Sequence, residues 1–177
     1  IEGVNAKFTH MGIAGEKVDK LGGIVGSYNF AGTPSLEFSI SNSKAFMDTK
    51  ADGKAHGGIL GDYASVTNFA PNEIIRNSLA MGRIKLLSPS NTSNIYRGGL
   101  VGNAKYLKVH MALVDMAAIE GNAYVAGGIG KSLDSQLSKS FIKARGVICD
   151  TATSTGLYCG GIFGWNDNTS SSVQSAL

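Results

Sequence analysis

A short glycine-rich motif occurs five times along the chain. It reads LGGIVGSY at residues 21–28 and recurs as GGILGDY from Gly57, GGLVGNA from Gly98, GGIGKS from Gly127 and GGIFGWN from Gly160. The first glycines of these copies are 35, 41, 29 and 33 residues apart, with a mean of about 34. A period of this length is typical of proteins built from stacked units, each too small to bury its own apolar face. The motif therefore favours a repeat architecture.

A second series of apolar residues alternates with the glycine motif. Each member is followed by small and polar residues, as in ISNS and IRNS, and the members are 36, 35, 34, 28 and 36 residues apart. They are Val4, Ile40, Ile75, Val109, Leu137 and Val173. Both anchors recur once per repeat, and only the connections between them change in length. We therefore expect strands that stack and loops that vary.

Strand is the expected conformation at both anchors. FSISNSKAF and IIRNSLAMGRI alternate with a period close to two. KVHMALVDMAAI could form a short helix on its own, but its place in the series favours a strand. The expected fold is all-β: a parallel β-solenoid (β-helix) of about five coils, with variable loops. Residues 1–177 would form a single repeat domain, and a start at Ile1 without Met or a signal-peptide pattern suggests an excerpt of a longer protein.

In such a stack, equivalent residues lie over one another at about 4.8 Å. One predicted column holds Ile24, Ile59, Leu100, Ile129 and Ile162. The adjoining column holds Val25, Leu60, Val101 and Phe163, with Gly130 interrupting it in the fourth repeat. These columns specify the register of the coils residue by residue.

The repeats resemble the GLUG repeat, whose pattern is roughly Ile-x-Asn-Ser-x-Ala-x-Gly-x-Val, a loop, and then Gly-Gly-Leu-Val-Gly. The third copy matches it in order at Ile75, Asn77, Ser78, Ala80, Gly82, Ile84, Gly98, Gly99, Leu100, Val101 and Gly102. The second copy matches in part, at Ile40, Asn42, Ser43 and Ala45. GLUG repeats occur as non-catalytic segments of bacterial surface and secreted proteins, including filamentous adhesins and immunoglobulin-A-cleaving peptidases. The resemblance implies an extracellular, adhesin-like module.

Several partner and cofactor classes find little support in the sequence. The net charge of +3 comes from 16 basic and 13 acidic residues without a basic run, which argues against nucleic acid. No apolar run of 18 residues indicates insertion into a membrane. GGIGKS resembles a phosphate-binding loop, but Val125 stands where that motif requires glycine. His10, His56 and His110 lie far apart, so we expect no metal, and no cofactor is predicted.

The two cysteines flank a long connection with nine residues between them. A disulfide between Cys149 and Cys159 would close the base of that connection and contribute about 2–3 kcal/mol to stability. Two free, buried thiols are the other interpretation.

The acidic residues decide whether a carbohydrate-active solenoid enzyme is plausible. Such an enzyme needs carboxylates grouped in a groove. Here Asp48 and Asp115 fall in the predicted strands, Asp62 follows a glycine turn, and Asp134 and Asp150 fall in connections. No consistent position groups them, so ordinary solvated charges are the preferred interpretation and no catalytic residue is assigned.

Aromatic residues are the candidate ligand contacts. Two consecutive connections of equal span carry Tyr28 and Phe30 in one coil and Tyr63 and Phe69 in the next, while Trp165 follows the last glycine motif. Neighbouring aromatic loops could stack on sugar rings or contact a protein. Alternatively, these side chains fold back and cap the edge of the coils.

The sequence thus predicts a non-catalytic module that presents loops to an extracellular protein or glycan ligand on a host, cell or matrix surface. A carbohydrate-active β-helix enzyme is one alternative. A structural spacer or fibre-tip segment that assembles as a trimer is the other.

Overall fold

A computed structural model of the chain describes residues 1–13, 18–30, 38–65, 74–87, 95–149, 157–167 and 172–174, with the backbone alone at Phe30 and 172–174. These residues form 21 strands in four parallel sheets. No described residue belongs to a helix, so none of them forms a helix long and apolar enough to cross a membrane. The chain is a parallel β-solenoid, as the repeat predicts.

The widest sheet, named the long-strand sheet, runs through all five coils. Its strands are β1 (Asn5–Met11), β5 (Lys44–Lys50), β9 (Leu79–Lys85), β13 (Leu113–Gly121), β17 (Phe141–Ala144) and β18 (Val147–Cys149). The last two strands both pair with β13. Side chains alternate between partly buried and exposed along β1, and every second side chain of β5 is buried, so one face of this sheet lines the core and the other faces outward.

Three narrower sheets complete each coil. The second sheet contains β2 (Lys20–Gly22), β6 (Ala55–Gly57), β10 (Tyr96–Gly98), β14 (Tyr124–Ala126) and β19 (Tyr158–Gly160). The third contains β3 (Val25–Phe30), β7 (Leu60–Ser65), β11 (Val101–Lys105), β15 (Ile129–Leu133) and β20 (Phe163–Asp167). The fourth contains β4 (Ile40–Ser41), β8 (Ile75–Arg76), β12 (Lys108–His110), β16 (Gln136–Ser138) and β21 (Ser172–Gln174). The segment KVHMALVDMAAI lies in β12 and β13, so it is strand.

Each coil turns from the fourth sheet into the long-strand sheet through a residue with positive φ. These corner residues have φ between 47° and 67° and are Gly3, Asn42, Asn77, Met111 and Lys139. Asparagine tolerates this conformation better than most side chains. Asn77 Nδ2 also donates to Asn42 Oδ1 at 2.7 Å, which links consecutive corners.

A buried serine follows the corner in several coils. Ser43 Oγ donates to the carbonyl of Ser41 at 2.8 Å and accepts from the backbone N–H of Val4 at 3.2 Å. Ser78 Oγ makes the same contact to Arg76 and accepts from the N–H of Ser43. Backbone groups that would otherwise be buried without a partner are thereby satisfied. The Asn-Ser pair of the repeat thus has a structural reason: a left-handed corner, then a hydroxyl that bonds to the preceding coil.

The predicted column that contains Ile129 is wrong by one residue in the fourth repeat. Val101 pairs with Ile129, and Ile129 pairs with Phe163, so Ile129 belongs to the column of Val25 and Leu60. Gly128 lies beside Leu100, and the N–H of Leu100 donates to the carbonyl of Gly128 at 2.9 Å. The cause is Ala126, which pairs with Gly98 and replaces the first glycine of the motif. Gly130 therefore does not interrupt the second column.

The remaining members of the first column, Ile24, Ile59, Leu100 and Ile162, follow the predicted register. The N–H of Ile24 donates to Ile59, and the N–H of Ile59 donates to Leu100. In the third sheet, Val25 pairs with Leu60 and Leu60 with Val101.

The second predicted series forms a column in the fourth sheet, with one exception. Ile40 pairs with Ile75, and the column continues through Val109, Leu137 and Val173. Val4 is not in it, since Asn5 pairs with Lys44 and Val4 therefore lies beside Ser43. Ile1 takes the expected place, because the N–H of Ser41 donates to its carbonyl at 3.0 Å.

Candidate functional site

The aromatic residues predicted to bind a ligand pack on one another. Tyr28 and Tyr63 are paired in adjacent strands, with ring centroids 5.8 Å apart. The ring of Phe38 stacks on Tyr28 at 4.0 Å and lies 6.3 Å from Tyr63. Tyr63 is only 3% exposed, and burial, with a smaller effect of Tyr28, raises the pKa of its hydroxyl. Tyr63 therefore caps the core and cannot offer its ring face to a ligand.

The other predicted members of this patch add little to it. The side chain of Phe30 and the whole of Phe69 lie outside the described residues. Tyr28 is half-buried. The interpretation that the aromatic side chains fold back onto the coils fits the described rings better than a binding patch does.

Trp165 lies in a different part of the molecule. It is in β20 of the last coil, where it pairs with Lys131 of β15. Its ring centroid is 4.3 Å from that of Tyr158 and 5.9 Å from that of Tyr124, with near-perpendicular planes at 77° and 79°. The structure therefore separates Trp165 from Tyr28 and Tyr63 and joins it to tyrosines that were not among the predicted ligand contacts.

Three tyrosines in register form a row along the second sheet. Tyr96, Tyr124 and Tyr158 begin β10, β14 and β19, and each is half-buried. Their ring centroids follow one another at 5.2 Å, close to the spacing between coils. Burial, followed by the effects of Tyr124 and Asp62, raises the pKa of Tyr96. Together with Lys131 and Trp165 these residues are called the tyrosine row.

Lys131 adds a positive charge to the row. Its Nζ lies 5.2 Å from the ring centroid of Tyr96 and 5.7 Å from that of Tyr124, within the range of cation–π attraction. Its neighbour in β11 is Asn103. The ammonium group is thus held against the rings at the boundary between the second and third sheets.

A polar extension continues the row toward the first coil. Asn103 Nδ2 donates to Asp62 Oδ1 at 2.7 Å, and Lys20 Nζ lies 2.7 Å from Asp62 Oδ2. Ser27, Asp62, Asn103, Lys131 and Trp165 are successive partners across the third sheet. The outer surface therefore changes from hydrogen-bonding groups at one end to aromatic rings at the other. That combination is typical of surfaces that bind sugars, whose rings carry both hydroxyl groups and apolar faces.

The tyrosine row had a signal in the sequence. A tyrosine stands two residues before the first motif position in YRG, YVA and YCG, the third to fifth copies. Aligning the fourth copy on Gly127 places Tyr124 one residue out of step with the others. With Ala126 as the true equivalent of Gly98 and Gly160, the three tyrosines coincide.

A buried polar pair lies inside the solenoid, beneath the second sheet. His56 and Arg97 are neighbours in β6 and β10, and both have no exposed surface. His56 Nε2 donates to the carbonyl of Val18 at 2.8 Å, so its Nδ1 accepts from Arg97 Nη1. Arg97 Nη2 donates to the carbonyl of Ala51 at 2.6 Å. Burial, with a smaller effect of Arg97, lowers the pKa of His56 to about 3, which keeps the imidazole neutral. The hydrogen bonds of Arg97 and His56 therefore lie within the interior of the solenoid.

Acidic side chains on the outer surface are matched by cations from a neighbouring coil. Asp48 pairs with Arg83, and Arg83 lowers the pKa of the Asp48 carboxyl. Glu120 Oε1 lies 3.4 Å from Lys85 Nζ, and Asp115 Oδ1 lies 3.5 Å from Arg145 Nη2. Within the described ranges, no three His, Cys, Asp or Glu residues are grouped so that they could hold a metal ion. The acids described here act as links between coils.

Cys149 and Cys159 form a disulfide between the end of β18 and the middle of β19. The bond closes the base of the connection between these strands, as the disulfide interpretation of the sequence expects. Cys159 directly follows Tyr158, so the disulfide also ties the last tyrosine of the row to the long-strand sheet.

No family model, curated protein or solved structure matches this chain.

Proposed function

We propose that the chain is a non-catalytic, extracellular, adhesin-like module that binds glycans at the tyrosine row. The observation that carries the proposal is the in-register sequence Tyr96, Tyr124 and Tyr158, joined by Trp165 and Lys131 at ring-contact distances. Trp and Tyr combine a large apolar ring with a polar group, which suits a ligand that has both characters. The resemblance to the GLUG repeat supports the extracellular, adhesin-like part of the proposal.

Binding in this proposal depends on shape and contact, without bond cleavage. Stacked coils hold the rings at a fixed spacing, so little conformational entropy is lost when a sugar chain docks. Asn103 and Lys20 lie in the path of a chain that follows the row toward the first coil, and they would contact its hydroxyl groups, while the buried Asp62 holds both side chains in place. Because Asp62 is paired with Lys20, it acts as a hydrogen-bond acceptor and not as a general acid in this scheme.

Replacing Trp165 by alanine is expected to weaken glycan binding about tenfold, since loss of one aromatic contact is worth roughly 1–1.5 kcal/mol. Glycan-array screening of the unmodified protein identifies the ligand, and titration calorimetry measures the affinity of the variant. Circular dichroism of Trp165→Ala checks that the coils remain folded.

The matched control is Tyr28→Ala, which removes a half-buried ring of the third sheet away from the row. It should retain the affinity of the unmodified protein. Equal affinity in Trp165→Ala, or a loss confined to Tyr28→Ala, would contradict binding at the tyrosine row.

A further inference from the structure

The outward face of the long-strand sheet carries a continuous strip of apolar side chains. Phe46 pairs with Met81, while Leu79, Leu113 and Phe141 are successive partners across β9, β13 and β17. Phe46, Met81, Leu113 and Phe141 are 38%, 37%, 42% and 47% exposed. The corner residue Met111 is exposed at the edge of the same strip. These six residues are called the apolar strip.

A shallow groove of about 280 Å³ lies at the edge of the strip, where the corners meet the strand starts. Leu79, Met111 and Leu113 form its apolar wall, and Asn42, Asn77 and Lys44 supply polar groups. A ligand in this groove would therefore meet apolar and hydrogen-bonding surface together.

The same face carries a net positive charge. Its strands and Arg145 carry seven basic side chains and three acidic ones, a net charge of +4: Lys7, Lys44, Lys50, Arg83, Lys85, Lys143 and Arg145 against Asp48, Asp115 and Glu120. The whole chain carries +3, so the remainder is slightly acidic. The basic residues are scattered along the sequence, and the fold brings them together on one face.

Four of these cations form no salt bridge with a carboxylate in the described part of the chain. Asp48, Asp115 and Glu120 are paired with Arg83, Arg145 and Lys85. Lys7, Lys44, Lys50 and Lys143 remain. Lys7 pairs with Phe46 and Lys44 with Leu79 across the sheet, and Lys143 follows Phe141 by two residues on the same strand. Unpaired lysines therefore adjoin both ends of the apolar strip.

We propose that this face is a second binding surface, for an acidic polysaccharide that lies along the solenoid axis. The strip runs from β5 to β17, three coil steps or about 14 Å, which suits an elongated ligand. Carboxylate groups of the sugar chain pair with Lys44 and Lys143, while the apolar faces of its rings lie on Leu113 and Phe141. The surface is distinct from the tyrosine row and adds a ligand class to the proposed function.

The charge of this face and the limited exposure of its apolar side chains favour an acidic polysaccharide over a second copy of the chain or a membrane. Two copies of the face would bring +4 against +4, so the face repels itself. An anionic membrane would attract the lysines, but interfacial anchoring needs apolar side chains that enter the lipid by about 5–10 Å. Here the apolar side chains are more than half covered by their neighbours. A chain of acidic sugar rings fits both the partly covered apolar strip and the flanking lysines.

The test uses polygalacturonate immobilised on a sensor, with dextran as the neutral polysaccharide. The protein should bind polygalacturonate and not dextran, and the affinity should fall as salt rises from 50 to 300 mM. The double variant Lys44→Gln/Lys143→Gln should bind at least tenfold more weakly. Its matched control, Lys54→Gln/Lys105→Gln, removes the same charge elsewhere and should stay within twofold.

The apolar part is tested separately by Leu113→Ser, which should weaken binding several-fold while leaving the salt dependence unchanged. Equal losses in the two lysine double variants, or no effect of Leu113→Ser, would overturn the proposal. Absence of binding to polygalacturonate would do the same, as would binding only to phosphatidylserine vesicles. None of these outcomes depends on Trp165, so this surface and the tyrosine row succeed or fail independently.

Discussion

Gly99→Ala is expected to destabilise the protein by at least about 3 kcal/mol, whereas Gly161→Ala should change its stability by less than about 0.5 kcal/mol. Both glycines hold the second position of the repeated motif. A Cβ atom on Gly99 would lie 2.1 Å from the carbonyl oxygen of Gly127 and 2.8 Å from Val114 Cγ1. A Cβ atom on Gly161 would meet no described heavy atom within 4 Å. The difference comes from the next coil, which covers Gly99.

Urea unfolding followed by far-ultraviolet circular dichroism measures both variants. The pair is well matched, because the substitution is identical and neither glycine has a positive φ. If Gly99→Ala fails to fold altogether, its loss of structure beside a folded Gly161→Ala variant still confirms the expected order. Similar free energies of unfolding for the two variants would contradict the close approach of coils at this motif.

Lowering the pH from 7 to 5 is expected to cost about 2 kcal/mol of stability through His56 alone. The pKa of this imidazole is about 3 in the folded protein, against 6.5 for the unfolded reference. Between these values the unfolded chain binds a proton that the folded protein does not. Stability from this group is therefore full above about pH 6.5 and is lost progressively as the pH falls toward 3. Protonation of Nδ1 would set two donors against each other beside the buried Arg97.

The contribution is isolated by comparing the protein with His56→Gln across the same pH range. Glutamine retains an acceptor and a donor but does not titrate in this range. Free energies of unfolding from urea titrations at pH 7 and pH 5 should differ by about 2 kcal/mol more in the unmodified protein than in the variant. Equal pH dependence in the two proteins would show that His56 accepts its proton without cost.

The fold could be predicted from the sequence because its main constraint is local and repeated. Glycines recur where the backbones of neighbouring coils approach, and β-forming residues recur between them. KVHMALVDMAAI shows how strong this constraint is, since its own pattern allows a helix and its place in the stack makes it strand. Parallel pairing was inferred from repetition, which is a property of the whole chain.

The register could be predicted only where the motif is intact. Ala126 replaces a glycine, and the alignment of the fourth copy on Gly127 therefore moved Ile129 into the wrong column. In the first coil, Gly3 replaces the corner asparagine, and the missing Asn-Ser signal made Val4 look equivalent to Ile40. Both errors have the same origin. Alanine or glycine can hold the first motif position, and asparagine or glycine can hold the corner, so a pattern based on one residue type misses the copy that uses the other.

The candidate sites are harder to predict because they are made between coils. The tyrosine row unites residues 28 to 34 positions apart, and a one-residue error in a single copy hides it. Lys7, Lys44 and Lys143 look scattered along the chain, yet they share one outward face. The buried contact of His56 with Arg97 also joins neighbouring coils, so the histidine looks isolated in the sequence.

The central claim is that five coils stack in register, because every proposed surface depends on it. The most direct measurement is the distance between spin labels at Lys7→Cys and Lys143→Cys, which lie in the same outward column of β1 and β17. The native cysteines are joined to each other, so only the two introduced thiols react. Four coil steps predict a Cα separation of about 19 Å and a single narrow distribution of label distances near that value. A distribution centred above about 30 Å, or one with several broad components, would contradict the stacked solenoid.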